Sequence, residues 1–238
     1  MSKLQDDVLP YFQRTGGVKA EFDQGTTAEA TTYPGGYCAG LTVHWMAQRA
    51  AGKNWPERQT SAEAVALSKA AAATYGKYKA GHDKAMAEAT AVGVVARAIV
   101  GGLGGIDGND VMQIRGALAA VVGDVNMTID ANATPTSWKS GDGAKFIHEV
   151  AVLGGGLYYI SILCDKGSHA LGLNVTNKAI ESPCEFFDPN VGQLHFDKPE
   201  DLKWSFGALL RSYSKTLGFN FTSGHALRIL PPQLKIAP

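Results

Sequence analysis

Residues 33–46 read Tyr-Pro-Gly-Gly-Tyr-Cys-Ala-Gly-Leu-Thr-Val-His-Trp-Met, a glycine-rich turn followed by an apolar stretch. The pattern predicts a helix over 37–51, because a glycine follows it at the position where helices commonly end. Leu41 and Trp45, four residues apart, share one face of this helix with Cys38. A helix N-terminus favours the anionic form of a thiol, which is the form that attacks carbonyl groups. The segment therefore presents Cys38 as a candidate nucleophile.

The bulk composition is that of a packed globular protein without net charge. Of the 238 residues, 45% are hydrophobic and 18% charged, and 22 basic residues balance 22 acidic ones. This length predicts one domain over 1–238, with residues 1–30 as a loose N-terminal segment. The charge balance predicts no nucleic-acid partner. Three cysteines without a Cys-x-x-Cys pair argue against a disulfide scaffold or a zinc ribbon.

No stretch of the sequence has the pattern of a membrane-spanning or signal segment. The first residues lack an apolar run of signal-peptide length. The most apolar window, residues 91–106, carries Arg97 and is shorter than the ~20 residues that a membrane helix needs. We therefore expect no integral membrane segment and synthesis in the cytoplasm without a cleavable signal peptide.

The chain divides into a helical first part and a strand-rich second part. Residues 15–36 are rich in glycine, threonine and alanine, which is typical of a loop. Further helices are predicted over 3–14, 60–78, 82–100, 109–122 and 197–213. Short β-branched and aromatic runs joined by tight turns predict an antiparallel sheet with strands over 156–164, 169–175, 180–187, 191–196 and 220–230. The predicted class is α+β.

Two polar residues stand at the ends of predicted strands. His169 begins one strand after a turn, and Asp188 follows another strand and precedes Pro189. On adjacent antiparallel strands these two ends lie at the same edge of the sheet. We expect Asp188 to hold one ring nitrogen of His169 and to leave the other facing the sulfur of Cys38.

Three motif blocks together resemble the YopT/AvrPphB cysteine peptidases, which are papain-fold bacterial effectors. The blocks are Gly36-Tyr-Cys38-Ala-Gly-Leu-Thr-Val-His-Trp45, Gly167-Ser-His169-Ala and Phe186-Phe-Asp188-Pro-Asn-Val-Gly192. The resemblance spans about residues 30–230. His169 and Asp188 follow Cys38 by about 130 and 150 residues, a spacing also found in papain-like enzymes.

This resemblance implies a papain-like α+β fold and a peptidase activity. Cys38 would be the nucleophile, His169 the general base and acid, and Asp188 the residue that orients the imidazole. No metal and no organic cofactor would be needed. The implied substrate is a partner protein, commonly cleaved inside a host cell after secretion into it. A secretion chaperone or a cognate inhibitor would be further partners.

The sequence departs from the papain-like pattern at one place. Papain-like enzymes usually carry a Gln or Asn a few residues before the cysteine, where its side chain helps to bind the oxyanion. Here those positions hold Thr31, Thr32 and Tyr33, and the nearest upstream amide is Gln24. Either Gln24 or a backbone N–H would replace the missing donor, or activity would be weak.

Several alternatives stay open at this stage. The thioester could pass its acyl group to an amine, as in a transglutaminase-like acyltransferase, and a catalytically weak relative could act only as a binding effector. His225, in Ser-Gly-His-Ala-Leu, is the rival base, whereas His44 is interpreted as a packing or surface residue. Cys164 and Cys184 are predicted to be core residues; a metal site formed by these two with His169 lacks closely spaced ligands.

Overall fold

The structure is a computed structural model that describes residues 3–33, 36–99, 106–139, 142–176 and 182–232. Within these ranges the helices are α1 (Lys3–Thr15), α2 (Cys38–Ala50), α3 (Ala62–Ile99), α4 (Ile106–Val122), α5 (Gly143–Leu153) and α6 (Pro199–Leu217). The strands are β1 (Gly17–Glu21), β2 (Thr128–Ile129), β3 (Thr136–Lys139), β4 (Gly156–Cys164), β5 (Gly167–Val175), β6 (Cys184–Asp188), β7 (Gly192–Phe196) and β8 (Phe221–Leu230).

The strands form an antiparallel sheet in the order β1-β7-β6-β5-β4-β8-β2, with β3 also paired to β8. Helices cover both faces of this sheet. One face packs against α1, α5 and α6, and the other against α2, α3 and α4. Phe186 and Phe187 show how the strand alternation serves both layers, because the first is buried with α6 and the second with α2.

The predicted α+β class and the antiparallel sheet are confirmed. Strand β4 has the predicted bounds, and β5 begins two residues earlier than predicted. The start predicted for the next strand, at residue 180, lies outside the described residues. Helix α5 and the short strands β2 and β3 lie in a stretch for which the sequence predicted no element.

The prediction of two helices over 60–78 and 82–100 is wrong for the described residues, where α3 runs without a break. Gly81, which lies between the two predicted helices, allows α3 and α4 to approach closely. A Cβ at Gly81 would lie 2.9 Å from the Cβ of Ala120. Lys79 and Asp83 also form an ion pair of 2.7 Å across this turn, an i, i+4 contact that supports helix continuity.

Helix α1 matches the helix predicted over 3–14 to within one residue, whereas β1 lies within residues 15–36, which the sequence predicted to be a loop. Helix α1 buries Val8 and Phe12 in the core, and β1 pairs with β7 at the edge of the sheet. The pairing depends on Gly192, whose φ is 121° and where a Cβ would lie 1.9 Å from the carbonyl oxygen of Ala20. Residues 17–21 therefore form a strand because they pair with β7, which is distant in sequence. Local propensity does not encode such a pairing.

Helix α2 is held against the sheet by the side chain of Trp45. Its indole is stacked on the ring of Phe187, with 5.5 Å between centroids and 7° between planes. The indole N–H donates to Oε1 of Gln193 at 3.2 Å. The backbone of Gly172 lies directly beneath the ring, because a Cβ there would come within 2.4 Å of Trp45. The absence of a side chain at Gly172 therefore sets how closely α2 approaches β5.

Substituting Gly172→Ala should lower the free energy of unfolding by about 1–3 kcal/mol, because the methyl group forces the indole and α2 away from the sheet. Gly17→Ala is the matched control in another strand, since a Cβ at Gly17 meets no atom within 4 Å. Urea denaturation of both variants measures the difference. Equal losses of stability in the two variants would contradict this explanation.

Candidate active site

Cys38 is the first residue of α2, as the sequence predicted to within one residue. The preceding turn is held from upstream, because the Tyr37 N–H donates to Oε1 of Gln24 at 3.0 Å. Gly36 in this turn has a φ of 87°, a conformation that favours glycine. The N–H of a first helical residue has no partner within the helix. Cys38 therefore presents both a thiol and a backbone donor at the same point.

The next turn of α2 is tied to strand β5. The hydroxyl of Thr42 donates to the carbonyl oxygen of Ala170 at 3.1 Å. Ala170 is the neighbour of His169, and Thr42 stands one helical turn after Cys38. This hydrogen bond thus brings the start of α2 to the start of β5, where the imidazole lies.

His169 and Asp188 lie at the same edge of the sheet, on the paired strands β5 and β6. Nε2 of His169 is 3.0 Å from Oδ1 of Asp188. Both side chains are buried, with 7% of His169 and none of Asp188 exposed. Oδ1 of Asp188 also accepts from the backbone N–H of Asn190 at 2.8 Å. The geometry is the one that the strand ends predicted.

The charge of Asp188 governs the protonation of His169. Burial alone would lower the pKa of His169, but the negative charge and hydrogen bond of Asp188, together with the hydrogen bond of Cys38, raise it to about 10. The imidazole therefore holds its second proton near neutral pH. Because Nε2 faces Asp188, Nδ1 is the ring nitrogen left for the hydrogen bond with the sulfur.

Two cavities flank the pair formed by Cys38 and His169. The larger, of about 400 Å³, extends past Gln24 and Lys166 to Phe219. The smaller, of about 210 Å³, is lined mainly by three tyrosines and polar residues of α3: Tyr75, Tyr78, Tyr159, Lys79, His82 and Asp83. Cys38 and His169 line both cavities.

The chain matches the solved structure of the Pseudomonas avirulence protein AvrPphB with a TM-score of 0.60 and 16% sequence identity, over 92% of this chain and 98% of that one. The chain has the papain-like fold of AvrPphB. The resemblance indicated by the three motif blocks is thereby confirmed at the level of the fold, which is as far as this identity reaches.

A second match is PatoxP, a cysteine protease-like domain of the Photorhabdus asymbiotica toxin PaTox. Its TM-score is 0.27 and its identity 11%, over 95% of this chain and 88% of that one, a similarity too low to support an argument. No protein-family model and no curated protein matches the chain.

Gln24, the amide that precedes Cys38 most closely in the sequence, lines the larger cavity together with Cys38. Its Oε1 accepts from the Tyr37 N–H, so its Nε2 is the end that donates, to Oδ1 of Asn190 at 2.7 Å. One hydrogen of that amide group remains, because Nε2 carries two. The side chain is held by both ends beside the cavity.

The rival histidines lie elsewhere. His225 is on β8, separated from β5 by β4, and its Nδ1 is 2.8 Å from Oγ of Ser137. His44 contacts Oγ1 of Thr74 on α3 at 2.9 Å, and burial lowers its pKa. His169, by contrast, lines both cavities together with Cys38.

The other two cysteines, Cys164 and Cys184, differ in how far they are buried. Cys184 is fully buried, as predicted, and burial raises its pKa to about 12. Cys164 is not the core residue that the sequence predicted. It is the last residue of β4, is partly exposed and lines the larger cavity. Across the described residues, no three His, Cys, Asp or Glu side chains are grouped so that they could hold a metal ion.

Sequence reasoning missed two residues that contact the buried pair. The hydroxyl of Tyr213 is 3.0 Å from both carboxylate oxygens of Asp188, and it also accepts from Nδ2 of Asn190 at 2.9 Å. Asn190 lies within the Phe-Phe-Asp-Pro-Asn block, so its place in that motif was a usable signal. Tyr213 carried none, because it continues the apolar stripe of α6 at helical spacing from Phe206 and Leu209.

None of the helices in the described ranges combines the length and the apolarity that crossing a membrane requires.

The raised pKa of His169 predicts a loss of stability at alkaline pH. The folded-state pKa of about 10 exceeds the ordinary value of 6.5, so the unfolded chain binds fewer protons between these two values. The stabilisation from this group is present below about pH 6.5 and is lost as the pH rises towards 10. Asp188→Asn removes the charge that raises this pKa. Its melting temperature should therefore fall less between about pH 7 and pH 9.5 than that of the wild type.

Scanning calorimetry over this range measures the effect. The control is Asp197→Asn, which removes the carboxylate of an exposed His–Asp pair, with His195 at 3.2 Å. Its profile should follow that of the wild type. Parallel profiles for Asp188→Asn and the wild type would show that Asp188 does not hold the proton on His169.

Proposed function

We propose that the protein is a cysteine peptidase that hydrolyses a peptide bond of a partner protein. Cys38 is the nucleophile, His169 the general base and acid, and Asp188 the carboxylate that orients the imidazole. The observation that carries the proposal is the convergence of these three side chains, with Nε2 of His169 at 3.0 Å from Asp188 and with Cys38 and His169 lining the same two cavities.

The reaction begins from the ion pair in which Nδ1 of His169 already holds the proton of the Cys38 thiol. The sulfur then attacks the peptide carbonyl carbon, and the π-electron pair moves to the carbonyl oxygen. As this tetrahedral intermediate collapses, the carbon–nitrogen bond breaks and the imidazolium gives its proton to the departing amine. The acyl group remains on the sulfur as a thioester.

Water completes the cycle. His169 removes a proton from a water molecule while the oxygen attacks the thioester carbon, and the carbon–sulfur bond breaks as the second intermediate collapses. The carboxylic acid leaves, and the thiolate is again paired with the imidazolium. Asp188 keeps Nε2 protonated and the ring oriented throughout, which stabilises the imidazolium without accepting its proton.

The negative oxygen of each intermediate needs donors near the sulfur. The backbone N–H of Cys38 is one, because the first residue of a helix has no intrahelical acceptor. Gln24 is the second, since its Nε2 keeps one hydrogen beyond the bond to Asn190 and its side chain lines the same cavity as the thiol. Loss of such a donor typically costs ~10²–10³ in rate.

The cavities on either side of Cys38 suit a protein substrate. A peptide bond at the sulfur requires room for chain in both directions, and the two cavities of about 400 and 210 Å³ supply it. That the substrate belongs to a target cell into which the protein is secreted follows from the resemblance to bacterial effectors alone.

Substituting Cys38→Ala should abolish cleavage, lowering kcat/KM by at least ~10³-fold, because it removes the sulfur on which the proposed thioester forms. The substrate is a peptide mixture prepared from a cell proteome, and new termini are identified by mass spectrometry. Cys164→Ser is the matched control, since this thiol lines the same cavity as Cys38.

Cleavage that persists in Cys38→Ala would overturn the proposal. A labelled amine added to the wild-type reaction separates hydrolysis from acyl transfer. Peptides that carry the amine, in place of free new carboxyl termini, would assign the enzyme to the acyltransferases instead.

A further inference from the structure

The hydroxyl of Tyr213 is buried at the centre of the candidate site. It is 3.0 Å from Oδ1 and from Oδ2 of Asp188 and 3.0 Å from Nε2 of His169. Nδ2 of Asn190 lies 2.9 Å away. The residue is fully buried, and its ring packs against Phe219 at 6.1 Å between centroids. A phenol hydroxyl has one proton and two lone pairs, so these neighbours use its whole hydrogen-bonding capacity.

The backbone N–H of Tyr37 determines which group donates and which accepts in each hydrogen bond of this network. The Tyr37 N–H can only donate, so the atom of Gln24 that it contacts is the oxygen. Nε2 of Gln24 must then donate to Oδ1 of Asn190. The amide nitrogen of Asn190, Nδ2, in turn donates to the hydroxyl oxygen of Tyr213. The phenolic proton is thereby free for a different acceptor.

That acceptor is Asp188. A carboxylate only accepts, and its two oxygens both lie within 3.0 Å of the phenol. The remaining lone pair of Tyr213 faces Nε2–H of His169. Burial, and next the charge of Asp188, raise the pKa of Tyr213, so its hydroxyl keeps its proton.

We infer that Tyr213 is a positioning residue, whose hydroxyl holds both Asp188 and the Nε2–H of His169 and connects them through Asn190 and Gln24 to the turn before Cys38. This inference rests on the proposed cysteine-nucleophile function. The chain of bonds runs from Tyr37, the residue before the nucleophile, to the carboxylate that orients the base. It joins two elements that are far apart in sequence and holds the imidazole with Nδ1 towards the sulfur.

The test uses Tyr213→Phe, which removes the hydroxyl and keeps the ring. Alkylation of Cys38 by iodoacetamide is followed against pH in the full-length protein, with the modified cysteine identified by mass spectrometry. The rate at about pH 6 should fall ten- to hundredfold, the range that corresponds to loss of one hydrogen bond to a charged group. The midpoint of the pH profile should move to higher pH, because the thiolate–imidazolium pair is less favoured.

Tyr158→Phe is the matched control. Tyr158 lies on β4, and the substitution also removes a buried tyrosine hydroxyl. That hydroxyl donates to the carbonyl oxygen of Gly154 at 2.8 Å. Its alkylation profile should equal that of the wild type. A general loosening of the fold would change both variants, whereas the inferred role changes Tyr213→Phe alone.

Asn190→Ala interrupts the same chain of hydrogen bonds at a residue that is only partly buried. This variant tests the inference if Tyr213→Phe does not fold. An unchanged rate at about pH 6 in the folded variant overturns the inference, while a reactive wild type leaves the proposed function standing. If Cys38 of the wild type reacts no faster at about pH 6 than an ordinary thiol, the proposed function itself is wrong and the inference falls with it.

Discussion

The indole of Trp45 lies flat over Phe187 and against the backbone of Gly172, and the position of α2 depends on this contact. The indole N–H of Trp45 shares Oε1 of Gln193 with the backbone N–H of Trp55, so the polar atom of the Trp45 ring is also satisfied in the core. Two turns separate Trp45 from Cys38 on the same helix. The position of the sulfur relative to the imidazole therefore depends on how closely the indole of Trp45 packs against β5, which has no side chain at Gly172.

Burial makes the polar site sensitive to each of its partners. A buried ion pair is favourable only when the other lone pairs and protons of the two groups are also satisfied. Asp188 meets this condition through three donors, from His169, Asn190 and Tyr213. The same low-dielectric surroundings that strengthen these bonds penalise the loss of any one of them. The raised pKa of His169 and the position of Tyr213 are thus consequences of one buried network.

Local patterns in the sequence were enough to predict the main groups of this site. The glycine-rich turn placed Cys38 at a helix start, and strand ends placed His169 and Asp188 at one edge of the sheet; the structure has all three there. Tyr213 could not be predicted, because a tyrosine in the apolar stripe of a helix has the pattern of a core residue. Cys164 was wrongly predicted to be in the core, since an apolar strand gives no sign of where it reaches the edge.

The sequence by itself determined the α+β class, the antiparallel character of the sheet and the candidate identities of the nucleophile, the base and the carboxylate that orients the base. These follow from periodicity, turn chemistry and side-chain type, which act over a few residues. Only the tertiary structure decided that α3 is continuous, that residues 17–21 form an edge strand and that Gln24, Asn190 and Tyr213 form one chain of hydrogen bonds. Those features depend on the packing of segments that are distant in the chain, and distance in the chain carries no local signal.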